Sequence, residues 1–531
     1  MRMKHFFPLF TLLTSFAVVQ VAQGQTLQSL DSALQWAQTI TAESLSDHLY
    51  ILAADSMEGR ETGKEGQRKA AAYLAEQFKS MGLEPVNGSY FQEVPLKVSA
   101  LKGGVLSLGD EKLTFKNDFV PYPGIEVQEL NAEAVFVGFG IQTPGWDDYA
   151  GVDVKGKAVI LLSGEPGSAE KGYVLSGTKE ESRWSKDPSM KRNLADSLGA
   201  AAIVMVSPEF VTLKSRLVPW LSRERMRLDV NREGEGTDLP TLIVSEDVLL
   251  RASGWKSIKD IKKKWPKRKL KSTALGAMEL SLARKDEKVS AANVWGLLPG
   301  SDPGLSQEIV VLTSHYDHVG VDEKEGEVYN GADDDGSGTV SLLENVDAWT
   351  SAHRAGQGPR RSVLFVAFVG EEKGLLGSEW YSDHPAFPLD QHVCDLNMDM
   401  VGRFDEAHAD DDRYVYLIGS DKLSSELHEI SEAVNEEHIG LSLDYTFNAP
   451  DDPNRFYYRS DHYNFAKHGI PVIFYFSGVH EDYHGIGDTP DKVRYPKMAE
   501  IGRLVFLTSW EVANRDNKLL VDRVNDFPTD R

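Results

Sequence analysis

Cysteine is almost missing from this sequence. Cys394 is the only one in 531 residues, so the chain can close no disulfide of its own. Set in an apolar stretch, that thiol reads as a small buried hydrophobe. Low-complexity tracts and internal repeats are also lacking. Basic residues are outnumbered, 57 Lys and Arg against 81 Asp and Glu, and a net charge of −24 argues against nucleic acid as a general partner. One run opposes that balance: Lys256 to Lys271 carries nine Lys or Arg. It reads as a solvated helix face, with contact to an anionic cell envelope as the alternative. A long apolar stretch occurs at the N-terminus, where Phe6 to Ala22 follows the basic Met1–His5 and leads into the small-x-small site Ala22-Gln23-Gly24. This predicts a signal peptide over residues 1–24, a mature chain from Gln25, a secreted or periplasmic location and no stable membrane insertion after cleavage. A membrane anchor is the alternative, and the lack of cysteine near the cleavage site argues against a lipoprotein.

What remains is ordinary globular composition, 41% hydrophobic and 26% charged, in a chain long enough for two or three domains. A helical pattern begins near Leu45. A second follows Thr62-Gly63-Lys64-Glu65, which has capping-box spacing, and it carries Ala70, Tyr73, Leu74, Phe78 and Met81 at helical period until Gly82 stops it. Between about 130 and 272 short β-runs alternate with turns, which marks an inserted domain. From about 290, apolar strands (309–313, 363–369, 472–476) alternate with helices. That pattern predicts an α/β sheet covered on both faces, with ligands beyond the strands' carboxyl ends.

Those ends are rich in acids and imidazoles. They read Ser314-His315-Tyr316-Asp317, Gly331-Ala332-Asp333-Asp334-Asp335-Gly336-Ser337-Gly338, Gly370-Glu371-Glu372, Asn397-Met398-Asp399-Met400-Val401-Gly402 and His480-Glu481-Asp482-Tyr483-His484. Imidazole with carboxylate suits zinc, and a surplus of carboxylates over one tetrahedral set suggests two ions sharing a bridging carboxylate. The last stretch has the spelling of an H-E-x-x-H zinc helix, but glycines flank it and Pro490 follows. A loop at a strand end is expected, with at most one of its histidines a ligand. Two other motifs fail. An EF-hand aligned on Gly336 puts Gly331 and Leu342 where acids are required. Gly336-Ser337-Gly338 lacks the spacing of a serine nucleophile elbow.

In order, His-x-Asp, Gly-Ala-x-Asp-Asp-x-Ser-Gly, Glu-Glu-x-Gly-Leu-x-Gly-Ser, Asn-x-Asp-Met-Val-Gly and Asp-Tyr-His followed by Asp-Thr-x-Asp-Lys resemble the co-catalytic dizinc aminopeptidase family, which includes glutamate carboxypeptidase and the inactive transferrin receptor. The opening Met57 to Gly63 is similar to the start of that family's catalytic domain, and the insert resembles a protease-associated domain. The resemblance implies a mixed, mostly parallel α/β sheet with helices on both faces, formed by 25–129 and 273–531, with a β-rich α+β insert over 130–272. It implies two zinc ions per chain. His315 and Asp399 would hold one, Glu372 and His484 the other, with Asp334 bridging. Glu371 would be the general base, Asp317 would accept the other N–H of His315, and Tyr457, three residues before Ser460-Asp461-His462, would donate to the oxyanion, although Tyr458 stands beside it. His480 would belong to the loop or the pocket wall. The function implied is a secreted aminopeptidase acting on peptides. Alternatives are a carboxypeptidase or dipeptidase using Arg403 or Arg455 to hold a carboxylate, an inactive receptor-like protein, or a glutaminyl cyclase.

Overall fold

The computed structural model describes residues 30–230, 239–265 and 273–524. The expected signal peptide and the end of the basic run lie outside the described residues. After a short helix over Asp31–Ala37 come α1 (Ala42–Leu52) and α2 (Glu65–Met81). Thr41 caps α1 in a capping box with Ser44. At α2 the expected box does not form: Lys64 is the N-cap, without a side-chain cap bond, and the Thr62 hydroxyl donates instead to Asp317 Oδ2 at 2.6 Å. Gly82 ends α2 in the left-handed conformation, φ 96°, where a side chain would be strained.

The strands used below are β1 (Phe91–Leu108), β2 (Phe119–Pro121), β3 (Glu129–Phe136), β4 (Ala158–Leu162), β5 (Ala202–Ser207), β6 (Thr241–Ser245), β7 (Thr273–Leu298), β8 (Ile309–His315), β9 (Ser362–Phe368), β10 (His392–Met398), β11 (Tyr414–Ile418), β12 (Ser442–Asp444) and β13 (Val472–Phe476). They lie in the order β12-β11-β13-β10-β8-β9-β7-β3-β4-β5-β6-β2, and β1 runs antiparallel along β7. β13, β10, β8 and β9 are mutually parallel, so their carboxyl ends emerge on one side. Their side chains divide by parity between two cores. Val310, Leu312, Val363, Phe365, Ile473 and Tyr475 pack with α1, α2, α4 (Gly338–Arg354) and α7 (Tyr495–Asn514). Ile309, Val311, Leu364, Val366, Val472 and Phe474 face α5 (Leu376–Asp383) and α6 (His462–Ala466). Both faces are covered, which is why these strands read as continuous apolar runs. Cys394 is buried and free.

A separate core gathers Leu101, Leu106, Phe136, Ile160, Val204, Val244 and Leu280 around β3 to β6 and the far halves of β1 and β7. It therefore includes residues on both sides of the 130–272 segment. Within it, α3 (Ile258–Lys264) turns Ile258 and Ile261 inward, and Trp265 Nε1 donates to Asp148 Oδ1 at 2.6 Å. Among the described residues no helix is long and apolar enough to cross a membrane.

The loops beyond β8 are pinned by Arg60, which is 1% exposed. Its guanidinium donates to the carbonyls of Tyr316 (2.9 Å), Leu52 (2.8 Å), Asn330 (2.7 Å) and Gly331 (2.8 Å). Beside it, a β-carbon on Gly59 would meet Gly320 O at 2.2 Å, so the two loops touch backbone to backbone. Arg60→Lys removes the planar fork and orphans buried carbonyls, so urea unfolding should register a loss of about 3 kcal/mol or more.

Candidate metal centre

Three aspartates in a row after Ala332 have three different tasks, set by what surrounds each. Asp335 accepts from the backbone N–H groups of His315 (3.1 Å), Gly338 (2.9 Å) and Met400 (3.1 Å), and so ties the end of β8, the start of α4 and the end of β10 to one carboxylate. Asp333 accepts from Gly402 N at 2.6 Å. Asp334 is left to face inward. Its own N–H, with that of Asp333, donates to Asp488, at 3.1 Å and 3.0 Å. Asp488 is the first residue of the Asp-Thr-x-Asp-Lys stretch. The Asp334–Asp335 peptide is cis.

Around Asp334 the strand ends bring together the expected residues. His315 Nε2 lies 3.4 Å from Asp334 Oδ1, 3.6 Å from Asp399 Oδ2 and 3.8 Å from Glu371 Oε2. His484 Nε2 lies 3.0 Å from Asp334 Oδ2 and 3.1 Å from Glu372 Oε1. One oxygen of Asp334 thus faces each group. A further imidazole, His318, joins the second: its Nδ1 is 3.0 Å from Glu372 Oε1 and 3.7 Å from Asp334 Oδ2. The sets His315–Asp334–Asp399 and His318–Asp334–Glu372 could each hold a metal ion. Sequence reasoning missed His318, although the spelling His-Tyr-Asp-His at a strand end placed a second imidazole beside the first.

A cation fits this donor set on structural grounds. His315 Nε2, His318 Nδ1, Asp334 Oδ2 and Glu372 Oε1 are all buried and have no hydrogen-bond partner, despite lying 3.0–3.7 Å from one another's groups. Atoms so close yet not aligned for hydrogen bonding are placed as donors sharing an ion are, since two donors ~2.0–2.2 Å from one tetrahedral zinc stand about 3.3–3.6 Å apart. Burial raises the Asp334 carboxyl, but His315, His484 and His318 more than offset it and hold the group well below the usual range. Burial lowers His484, but Asp334 and Glu372 overcome it and hold the imidazole up at about 10. A bound metal would take the place of that proton.

The supporting contacts differ from expectation in two places. His315 Nδ1 lies 3.1 Å from the main-chain carbonyl of Asp317 but 3.8 Å from its carboxylate, so the carbonyl fixes the tautomer. The carboxylate accepts from Thr62 Oγ1 and, at 3.2 Å, from Glu371 N, which makes it a support of the Glu371 backbone. Tyr457 is buried, its ring packed against Tyr458, Tyr463 and His462, and it does not line the cleft. The phenol that does is Tyr483, whose ring stacks on His484 at 3.9 Å. The signal for it was its place directly before a ligand candidate. Met400, Phe456, Phe474, Phe476, Val479 and Arg459 complete the walls around Glu371. Asp399 is steadied by Ser460 Oγ at 2.7 Å, which in turn accepts from Asn397 at 2.8 Å.

The His480–His484 stretch is a turn after β13, not a helix. His480 Nε2 faces Asp333 Oδ2 at 3.3 Å and belongs to neither donor set, and Asp482 binds Arg403 and Lys492. Elemental analysis should therefore find His480→Ala with unchanged metal content, while His484→Ala weakens one metal position by about 10²-fold.

Residues 293–509 match the model of Peptidase family M28. A protein named "Probable leucine aminopeptidase" from Arthroderma benhamiae is 30% identical over 218 residues, 40% of this chain and 56% of its own length. Aminopeptidase YwaD of Bacillus subtilis is 29% identical over 219 residues, 40% of this chain and 42% of its own. The chain thus spans about half the length of the curated relatives it matches. Among solved structures, an aminopeptidase from Aneurinibacillus sp. strain AM-1 overlaps 93% of this chain and 99% of its own at 19% identity, with a TM-score of 0.45. Every donor from His315 to His484 falls in the 293–509 segment, and over that segment the chain matches Peptidase family M28.

Proposed function

We propose that this protein is an exported zinc metallopeptidase that removes N-terminal residues from peptides, with two zinc ions per chain. The observation that carries this reading is Asp334, buried between two sets of donors with one oxygen toward each and Glu371 at the mouth of the cleft. In it, His315, Asp334 and Asp399 hold one ion, and Glu372, His484 and Asp334 the other. The apolar leader pattern of residues 1–24 supports export, and the 130–272 segment, which supplies no donor, would influence access of substrate.

When bound, a zinc pair supplies polarisation of the scissile carbonyl and a lowered pKa for a water. The chain's own residues do the rest. Glu371 takes a proton from water and delivers it to the departing amine. Burial, with the charges of Glu372, Asp399 and Asp461, outweighs the influence of His315 and pushes its carboxyl well above the usual range. Its main chain is fixed by Asp317. Tyr483, lining the same cleft, is the phenol in reach of a developing oxyanion, the role Tyr457 was expected to play. Phe456, Phe474, Phe476 and Val479 suit an apolar side chain at the cleaved position.

One observation favours a second reading. Arg459 lines the cleft with its guanidinium over the ring of Phe456, whereas Arg403, engaged by Asp482, and Arg455, over the ring of Tyr458, are not among the cleft's lining residues. A guanidinium there could hold a substrate carboxylate, as a carboxypeptidase or dipeptidase requires. Hydrolysis of amino-acid anilides, compared with N-blocked and C-terminal peptide substrates, separates the two. The aminopeptidase reading expects anilides with apolar residues to be cleaved and N-blocked peptides to be refused. Glu371→Gln should keep its metal and its thermal stability while kcat falls by about 10²–10⁴-fold; a variant that loses metal would mean the two glutamates are exchanged.

A further inference from the structure

The second imidazole of His-Tyr-Asp-His sits deeper than the ligand candidate it accompanies. His318 is fully buried, whereas the side chain of His484 is 37% exposed. Its position is fixed from three sides. Its N–H donates to Arg60 O at 3.2 Å, and residue 318 forms a bridge with Glu61. A β-carbon on Gly331 would stand 2.5 Å from its ring, so glycine at 331 is what lets the imidazole lie flat against the loop that carries Asp334. The ring of His484 meets it edge to face at 5.7 Å.

Neither ring nitrogen of His318 has a hydrogen-bond partner, and with Asp334 and Glu372 the residue forms a set of donors spaced as for one ion. Nδ1 is nevertheless 3.0 Å from Glu372 Oε1 and 3.7 Å from Asp334 Oδ2, the same two oxygens that His484 Nε2 approaches from the other side. Those oxygens have no hydrogen-bond partner either. Two imidazoles and two carboxylates converge on one volume without bonding to one another.

We infer that His318 is a further metal ligand, donating through Nδ1 to the position held by Glu372, His484 and Asp334. This rests on the dizinc reading above and adds to it an asymmetry. One position then has four protein donors, the complement of a closed zinc site, while the position of His315, Asp334 and Asp399 has three and keeps a place open. The ligand count makes the four-donor position the tighter of the two and the first to fill, and it leaves the exchange of water and substrate to the other.

The test is zinc titration of the chelator-stripped full-length protein in competition with a chromophoric chelator, together with a structure of the zinc-loaded protein recorded at the zinc edge. Wild type should take up two ions, the first at least about 10-fold more tightly, and His318→Ala should weaken that first step by about 10²-fold while leaving the second unchanged. The wild-type structure should place His318 Nδ1 about 2.0–2.1 Å from the metal. Unchanged constants in His318→Ala, or a zinc more than about 3 Å from Nδ1, overturns the proposal. If the variant fails to fold, the wild-type distance alone decides, because a long distance reduces His318 to a group that positions Glu372. Wild type that binds one ion or none overturns the dizinc reading itself, which is a separate result.

Discussion

The structure depends on the burial of many carboxylates in one place. Asp317, Asp333, Asp334, Asp335, Asp399 and Asp488 are all buried beyond the ends of β8, β9, β10 and β13, with Glu371 and Glu372 beside them. Uncompensated, such a cluster would repel itself and pay heavily for lost hydration. The local backbone is organised around removing that cost, and the way each carboxylate is satisfied determines what it can do.

Asp335 and Asp488 are satisfied by main-chain N–H groups, and Asp333 accepts from Gly402 N through one oxygen while its other faces His480, so the three act as knots between segments far apart in sequence. Asp317 serves Thr62 and the Glu371 backbone. Asp334 and Glu372 keep oxygens with no hydrogen-bond partner, facing imidazoles. Where the amides run out, imidazoles face the remaining oxygens, and a cation there would balance the charge that is left. Arg60 makes the frame rigid by holding carbonyls of the loops around it, while the walls of the cleft, mostly aromatic, belong to the core on the other face of the sheet.

The second core is joined to the first through β1 and β7, which pair along nearly their whole lengths. Apolar side chains near Val294 pack under the sheet of β8, β9, β10 and β13, and those near Leu280 pack against β3 to β6. A long two-stranded connection of this kind couples the two cores through backbone hydrogen bonds, with one shift of register between Leu101 and Gly103.

Much of this was legible in the sequence. Continuous apolar strands with acids and imidazoles at their ends announced a sheet buried on both faces and a site beyond its carboxyl ends. Glycines around His480–His484 excluded a helix, and Gly82 marked the stop of α2, because these depend on backbone preferences of neighbouring residues. What the tertiary structure alone decided was convergence. That Thr62 reaches Asp317 instead of capping its helix, that a carbonyl and not the Asp317 carboxylate meets His315, that Tyr483 and not Tyr457 faces the cleft, and that His318 turns toward Glu372 all follow from how strands distant in sequence stack side by side. Local sequence sets the path of the chain. The direction a loop side chain takes is set by the charges and the space that other segments bring to it, and those exist only once the sheet has formed.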